Sequence, residues 1–61
     1  MSNLTKYRRL KKMTMAELAD RVGVSQPTIC RYERGERQMP VDMARKIATV
    51  LQVKCWWKLY D

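Results

Sequence analysis

Sixty-one residues bound this chain to a single domain, 1–61, with room for only a small core. Thirteen Lys and Arg against six Asp and Glu leave a net charge of +7, which favours an anionic partner: nucleic acid or an acidic lipid surface. The absence of histidine, and two cysteines (Cys30 and Cys55) with no CxxC pair, argue against a structural zinc site and a disulfide framework.

Both thiols therefore read as reduced, and the expected compartment is the cytoplasm. No apolar run approaches the roughly 20 residues of a membrane span. The opening MSNLTKYRRLKK lacks the apolar stretch of a signal peptide. Binding to a membrane surface would need a broad apolar helix face. The first segment offers only Leu4, Tyr7 and Leu10 for one.

The chain divides into short helical segments with no hairpin signal between them. The first spans Asn3 to Lys12, with Asn3 placed to cap it. The second has the fullest set of marks. Thr14 stands as N-cap with Glu17 three residues on, a capping box, and Met13 and Leu18 have the spacing of a hydrophobic staple. Gly23 is suited to end that helix in the left-handed conformation.

Only Val24 then precedes Ser25, the next N-cap. Two helices joined so tightly must cross steeply, the geometry of a helix-turn-helix, and Ala19 would let them approach closely. Pro27 near the start of the third helix costs little, because first-turn N–H groups have no partner within the helix. A polar loop, Glu36–Met39, leads to Pro40 and a fourth helix carrying Val41, Ala44, Ile47, Ala48 and Leu51 at helical spacing.

Residues 53 to 60 are ambiguous. Positions 53, 55, 57 and 59 alternate like a strand that would have nothing to pair with. A short helix places Val53, Trp57 and Tyr60 on one side, and that reading is preferred.

The third segment, GVSQPTICRYERG from 23 to 35, carries the chemistry. With Ile29 inward and 100° per residue, Tyr32 and Glu33 turn toward the core. Pro27, Arg31 and Arg34 turn outward, with Thr28 and Cys30 on the flanks. Arg can pair with guanine O6 and N7, Gln with adenine, and Thr with a thymine methyl or a base edge. An isolated Q-P-T-x-x-R would read as a solvated face. Its place directly after the marked turn makes it a reading surface. Catalysis finds no support: there is no His, no phosphate-binding glycine loop and no nucleophile–base pair.

The chain resembles the helix-turn-helix domain of the Cro/cI repressors, the lambda-repressor-like family, over about Leu4 to Leu59. The resemblance is carried by Arg8, by M-T-M-A-E-L-A from 13 to 19 and by G-V-S-Q-P-T-I from 23 to 29. Y-E-R-G at 32 to 35, I-A-T-V-L at 47 to 51 and Trp57 complete it. It implies an all-α fold of five helices, the last one short. It also implies base contacts from Gln26, Pro27, Thr28 and Arg31. Phosphate contacts would fall at the second-helix start, Thr14 and Met15, at Ser25 and in the Arg37–Gln38 loop. An ion pair between Arg8 and Glu33 is implied as well, and it agrees with the inward placement of Glu33.

Two positions depart from the pattern. Family members usually carry Gln where Met15 stands, and only the backbone N–H groups there could hold a phosphate. Pro27 offers van der Waals contact alone, which shifts more of the specificity to DNA shape.

Arg34 and Arg37 are assigned to the phosphate backbone. Lys6, Arg9, Lys11, Lys12, Arg45 and Lys46 read as solvated, steering charges. Cys30 could touch DNA or fill space, and Cys55 reads as a small core residue. Met39 and Met43 read as packing residues.

Trp57 matches the family's core aromatic, which leaves Trp56, with Tyr60, for a homodimer contact. Lys54 and Lys58 nearby would weaken that dimer until DNA strengthens it. The expected function is a double-stranded-DNA-binding repressor acting by occupancy on a palindromic operator, complete without a second domain. No cofactor, metal or small-molecule ligand is expected. An antitoxin or plasmid regulator is the nearest variant. A protein-interaction module of the same fold, such as an antirepressor, is the alternative from another class, and RNA binding is a lesser one.

Overall fold

Capping chemistry decides where each element begins and ends in the computed structural model, which describes residues 2–60. Four α-helices follow one another: α1 (Asn3–Leu10), α2 (Met15–Val22), α3 (Gln26–Arg34) and α4 (Val41–Leu51). A 3-10 turn, Trp56–Leu59, follows in place of a fifth α-helix. No strand occurs among the described residues.

The α1 boundaries differ from the expected ones. Ser2, not Asn3, is the cap, its hydroxyl accepting from the Thr5 N–H at 3.1 Å. The Asn3 amide instead donates to the Tyr60 carbonyl at 2.9 Å. The helix stops at Leu10, and Lys12 takes a φ of 54° in the turn that follows. Its inner face is Leu4, Thr5 and Arg8. Leu10 is 66 % exposed, because six residues bring it round about 120° from Leu4.

The marks on α2 act as read. The Thr14 hydroxyl accepts from the Glu17 N–H, and the Glu17 carboxylate accepts from the Thr14 N–H, both at 3.0 Å. Gly23 closes the helix at φ 80°. Ser25 has the extended backbone of an N-cap but makes no side-chain capping bond; its hydroxyl lies 2.9 Å from that of Thr28. Gly35, at φ 73°, ends α3. Pro40 occupies the N-cap position of α4, and Gln52, at φ 59°, ends it.

Leu4, Leu18, Ile29, Ile47, Leu51 and Leu59 are fully buried at the centre. Ala19, Ala44 and Ala48 are buried among them and keep the backbones close. Met39 is buried and Met43 packs at the edge of the core.

The C-terminal segment corrects the aromatic assignment. A 3-10 turn has three residues per turn, so Trp56 and Leu59 share its inward side, and Val53 packs against the core from the stretch before it. Val53 and Trp56 are half-buried and Leu59 is buried. Trp57, expected in the core, is 57 % exposed. The Val53–Trp57–Tyr60 face assumed α-helical spacing, which the segment does not adopt. Trp56 meets the Tyr60 ring edge-on at 6.2 Å and lies under the Arg45 guanidinium at 5.5 Å. The Tyr60 hydroxyl donates to the Met39 carbonyl at 2.7 Å. Cys55, expected in the core, is half-buried and lines a surface groove.

Candidate nucleic-acid interface

The turn between α2 and α3 is built from two bonds to one carbonyl. The Gly23 and Val24 N–H groups both donate to Ala19 O, at 2.9 and 3.0 Å. This satisfies the helix end and sends the chain directly into α3. Leu18, Ala19 and Val22 of α2 are buried, as are Ile29 and Tyr32 of α3. The two helices therefore share one apolar seam, and the opposite face of α3 is left to solvent. Gln26, Pro27, Arg31 and Arg34 are exposed, while Thr28 and Cys30 on the flanks are half-buried. This distribution follows from a 100° step about Ile29.

A polar clamp fixes the inner edge of α3. Arg8 Nε stands 2.6 Å from Glu33 Oε2, and Arg8 Nη2 stands 3.2 Å from Glu33 Oε1. The two side chains are only 10 % and 8 % exposed. The third nitrogen, Nη1, donates to the Met13 carbonyl at 2.7 Å. One guanidinium thus ties α1 to α3 and to the residue just before the α2 cap.

Thr5 completes the site, its hydroxyl donating to Glu33 Oε1 at 2.9 Å. Sequence reasoning missed Thr5. Its i, i+3 spacing to Arg8 was the available signal, since that spacing puts both on one face. No buried side-chain polar atom among the described residues lacks a partner. The pair is held in the geometry that a buried charge requires.

The three arginines of the outer surface differ in their engagement. Arg37 lies 6.0 Å from the Tyr32 ring centroid, a cation–π contact that draws it against the end of α3. Arg34 stands 3.8 Å from Glu36, an exposed and weak pair. Neither ion pair found among the described residues engages Arg31, which is exposed. Gln38 is exposed in the same loop as Arg37.

At the start of α2, Thr14 is exposed and Met15 is half-buried with its side chain against the core. That leaves backbone N–H groups to meet an anion there. Capping holds the Glu17 carboxyl below its ordinary range, chiefly through the Thr14 N–H, then the Thr14 hydroxyl, with Arg21 adding to the effect. No cluster of metal-ligating side chains occurs among the described residues. No helix among them is long and apolar enough to cross a membrane.

Comparison with known proteins finds the same motif. The family model described as helix-turn-helix matches residues 4–55. An uncharacterized HTH-type transcriptional regulator, YqaE of Bacillus subtilis, is 35 % identical over 51 residues. The match covers 84 % of this chain and 44 % of that protein, so the chain spans less than half of the curated relative. No solved structure matches. The chain belongs to the helix-turn-helix family of DNA-binding domains, in its Cro/cI-like form.

Proposed function

We propose that this chain is a sequence-specific transcriptional repressor that binds a palindromic operator as a dimer, with α3 in the major groove. The observation that carries the reading is the outer face of α3. Gln26 and Arg31 are exposed there without an ion pair, on a helix whose inner face is locked to the core. A reader needs its hydrogen-bonding groups uncommitted and its backbone fixed, so that little ordering entropy is lost on docking.

Gln26 and Arg31 are assigned to base edges, Thr28 to a base edge or thymine methyl, and Pro27 to van der Waals contact. Thr14, the backbone at Met15, Ser25, Arg34, Arg37 and Gln38 are assigned to phosphates. Trp56 and Tyr60, both half-buried, are assigned to the contact with a second copy, and Lys54 and Lys58 keep that contact weak until DNA holds both copies. Repression is by occupancy in the cytoplasm, without a cofactor.

The test is selection of bound duplexes from a random DNA pool at about 150 mM salt, where non-specific phosphate binding is weak. The expected product is an inverted repeat with half-sites about 10 base pairs apart. Arg31→Ala should relax preference at one base pair by about 1–3 kcal/mol. Recovery of no motif overturns the reading.

A further inference from the structure

The positive charge of this chain does not reside on its helix-turn-helix. Residues 14–42 hold four arginines and five carboxylates; the rest of the chain holds nine Lys and Arg and a single carboxylate, Asp61. The stretches outside the motif, up to Met13 and from Met43 to Tyr60, therefore carry most of the positive charge, even with Arg8 neutralised by Glu33.

Those same stretches enclose a groove of about 480 Å³ between the C-terminal end of α1, the end of α4 and the residues after it. Of the residues lining it, the half-buried Tyr7, Val53 and Cys55 form the floor, the exposed Leu10 stands at its edge, and the exposed Lys11, Lys54 and Lys58 form the rim. None of the residues assigned to DNA lines it. Leu10 is 66 % exposed, a large aliphatic side chain that the fold leaves in water. Lys11 donates to the neutral Gln52 side chain at 2.8 Å. Neither ion pair among the described residues involves a rim lysine.

We propose that this groove docks an acidic amphipathic segment of a partner protein, its apolar side chains on Leu10 and Val53 and its carboxylates on Lys11, Lys54 and Lys58. The rim decides the sign of the occupant and the floor decides its class. A second copy of this chain would bring the same lysines against themselves, and like charges in a symmetric contact repel. A DNA backbone would satisfy the lysines but gain nothing from Leu10. An acidic peptide with interleaved apolar residues uses both, in the manner of a helix laid into a groove. Occupancy would bring negative charge onto the positive half of the molecule and so link partner binding to DNA affinity.

The experiment pans a displayed library of random 16-residue peptides on the full chain at about 150 mM salt, then measures the enriched peptide by fluorescence anisotropy. The expected winners carry Asp or Glu interleaved with Leu, Ile or aromatic residues. Leu10→Ser and the Lys54→Glu/Lys58→Glu pair should each weaken binding about tenfold or more. Leu10→Ser removes an exposed side chain, so the fold and duplex binding should persist. Arg31→Ala should leave peptide binding unchanged, which separates this surface from the reading face.

Four results would overturn the proposal. One is the absence of any consensus. Another is a consensus of acidic residues without apolar ones, or binding indifferent to Leu10→Ser. The last is displacement of the peptide by a 20-base-pair duplex that shifts the amide NMR signals of Leu10, Val53 and Lys54, which would make the groove a phosphate track.

Discussion

The segment from Met13 to Gly35 and the segment from Val53 to Tyr60 reach their shapes by opposite routes. The first is punctuated by its own residues. A reciprocal cap opens α2, and glycines at positive φ close both helices. The second has no side-chain cap and forms one 3-10 turn of four residues. What positions it is contact with distant parts of the chain. Leu59 sits in the core, the Tyr60 hydroxyl reaches Met39, and the Tyr60 carbonyl receives Asn3. Local signals specify the reading element; tertiary contacts specify the strap that covers the other side of the core.

Mutations can probe that division. Glu33→Ala should be the most damaging, because it leaves the Arg8 charge buried without its partner, a loss of about 3–5 kcal/mol. A domain this small should then be largely unfolded by circular dichroism at 25 °C. Replacing both partners, Arg8→Met with Glu33→Leu, should recover much of the loss; a double variant as unstable as the single one would assign the damage to Thr5 and Met13.

Leu59→Ala follows at about 2–5 kcal/mol. If the strap is held by the core alone, hydrogen exchange should rise at residues 53–60 before it rises in α3. Uniform protection loss would mean that the two regions unfold as one.

Gly23→Ala should cost about 1–2 kcal/mol in chemical denaturation. A Cβ there meets nothing within 4 Å, so the whole cost comes from holding φ at 80°. A neutral result would show the turn to be less demanding than its dihedral implies.

The smallest effect is on the cap. Glu17 is held below its ordinary value of 4.5, so its contribution is present above that value and is lost as pH falls through the lower, folded-state value. Glu17→Gln keeps an oxygen for the Thr14 N–H and should flatten the acid side of the Tm–pH profile. An unchanged slope would place the acid sensitivity elsewhere.

This division also explains what was legible in the sequence. Thr14, Glu17 and Gly23 act through neighbours three or four residues away, so their roles could be read directly. The outward row on α3 followed from one buried residue, Ile29, and a fixed angular step. The Arg8–Glu33 pair joined an inward carboxylate to a family resemblance, but Thr5 went unread because a lone Thr on a helix carries no mark of what it faces. Trp57 is misplaced by the family match and by α-helical spacing alike, because the segment forms a 3-10 turn that buries Leu59 instead. Ser2 replaced Asn3 as the cap because Asn3 is drawn to Tyr60, a contact 57 positions away.

That same contact between Asn3 and Tyr60 has a topological consequence. It ties Asn3, one residue from the start of the described chain, to Tyr60 at its end through a 2.9 Å hydrogen bond, so a short peptide bridge could join the two ends of the described chain into a ring. New ends could then be opened in the exposed loop beside Arg37.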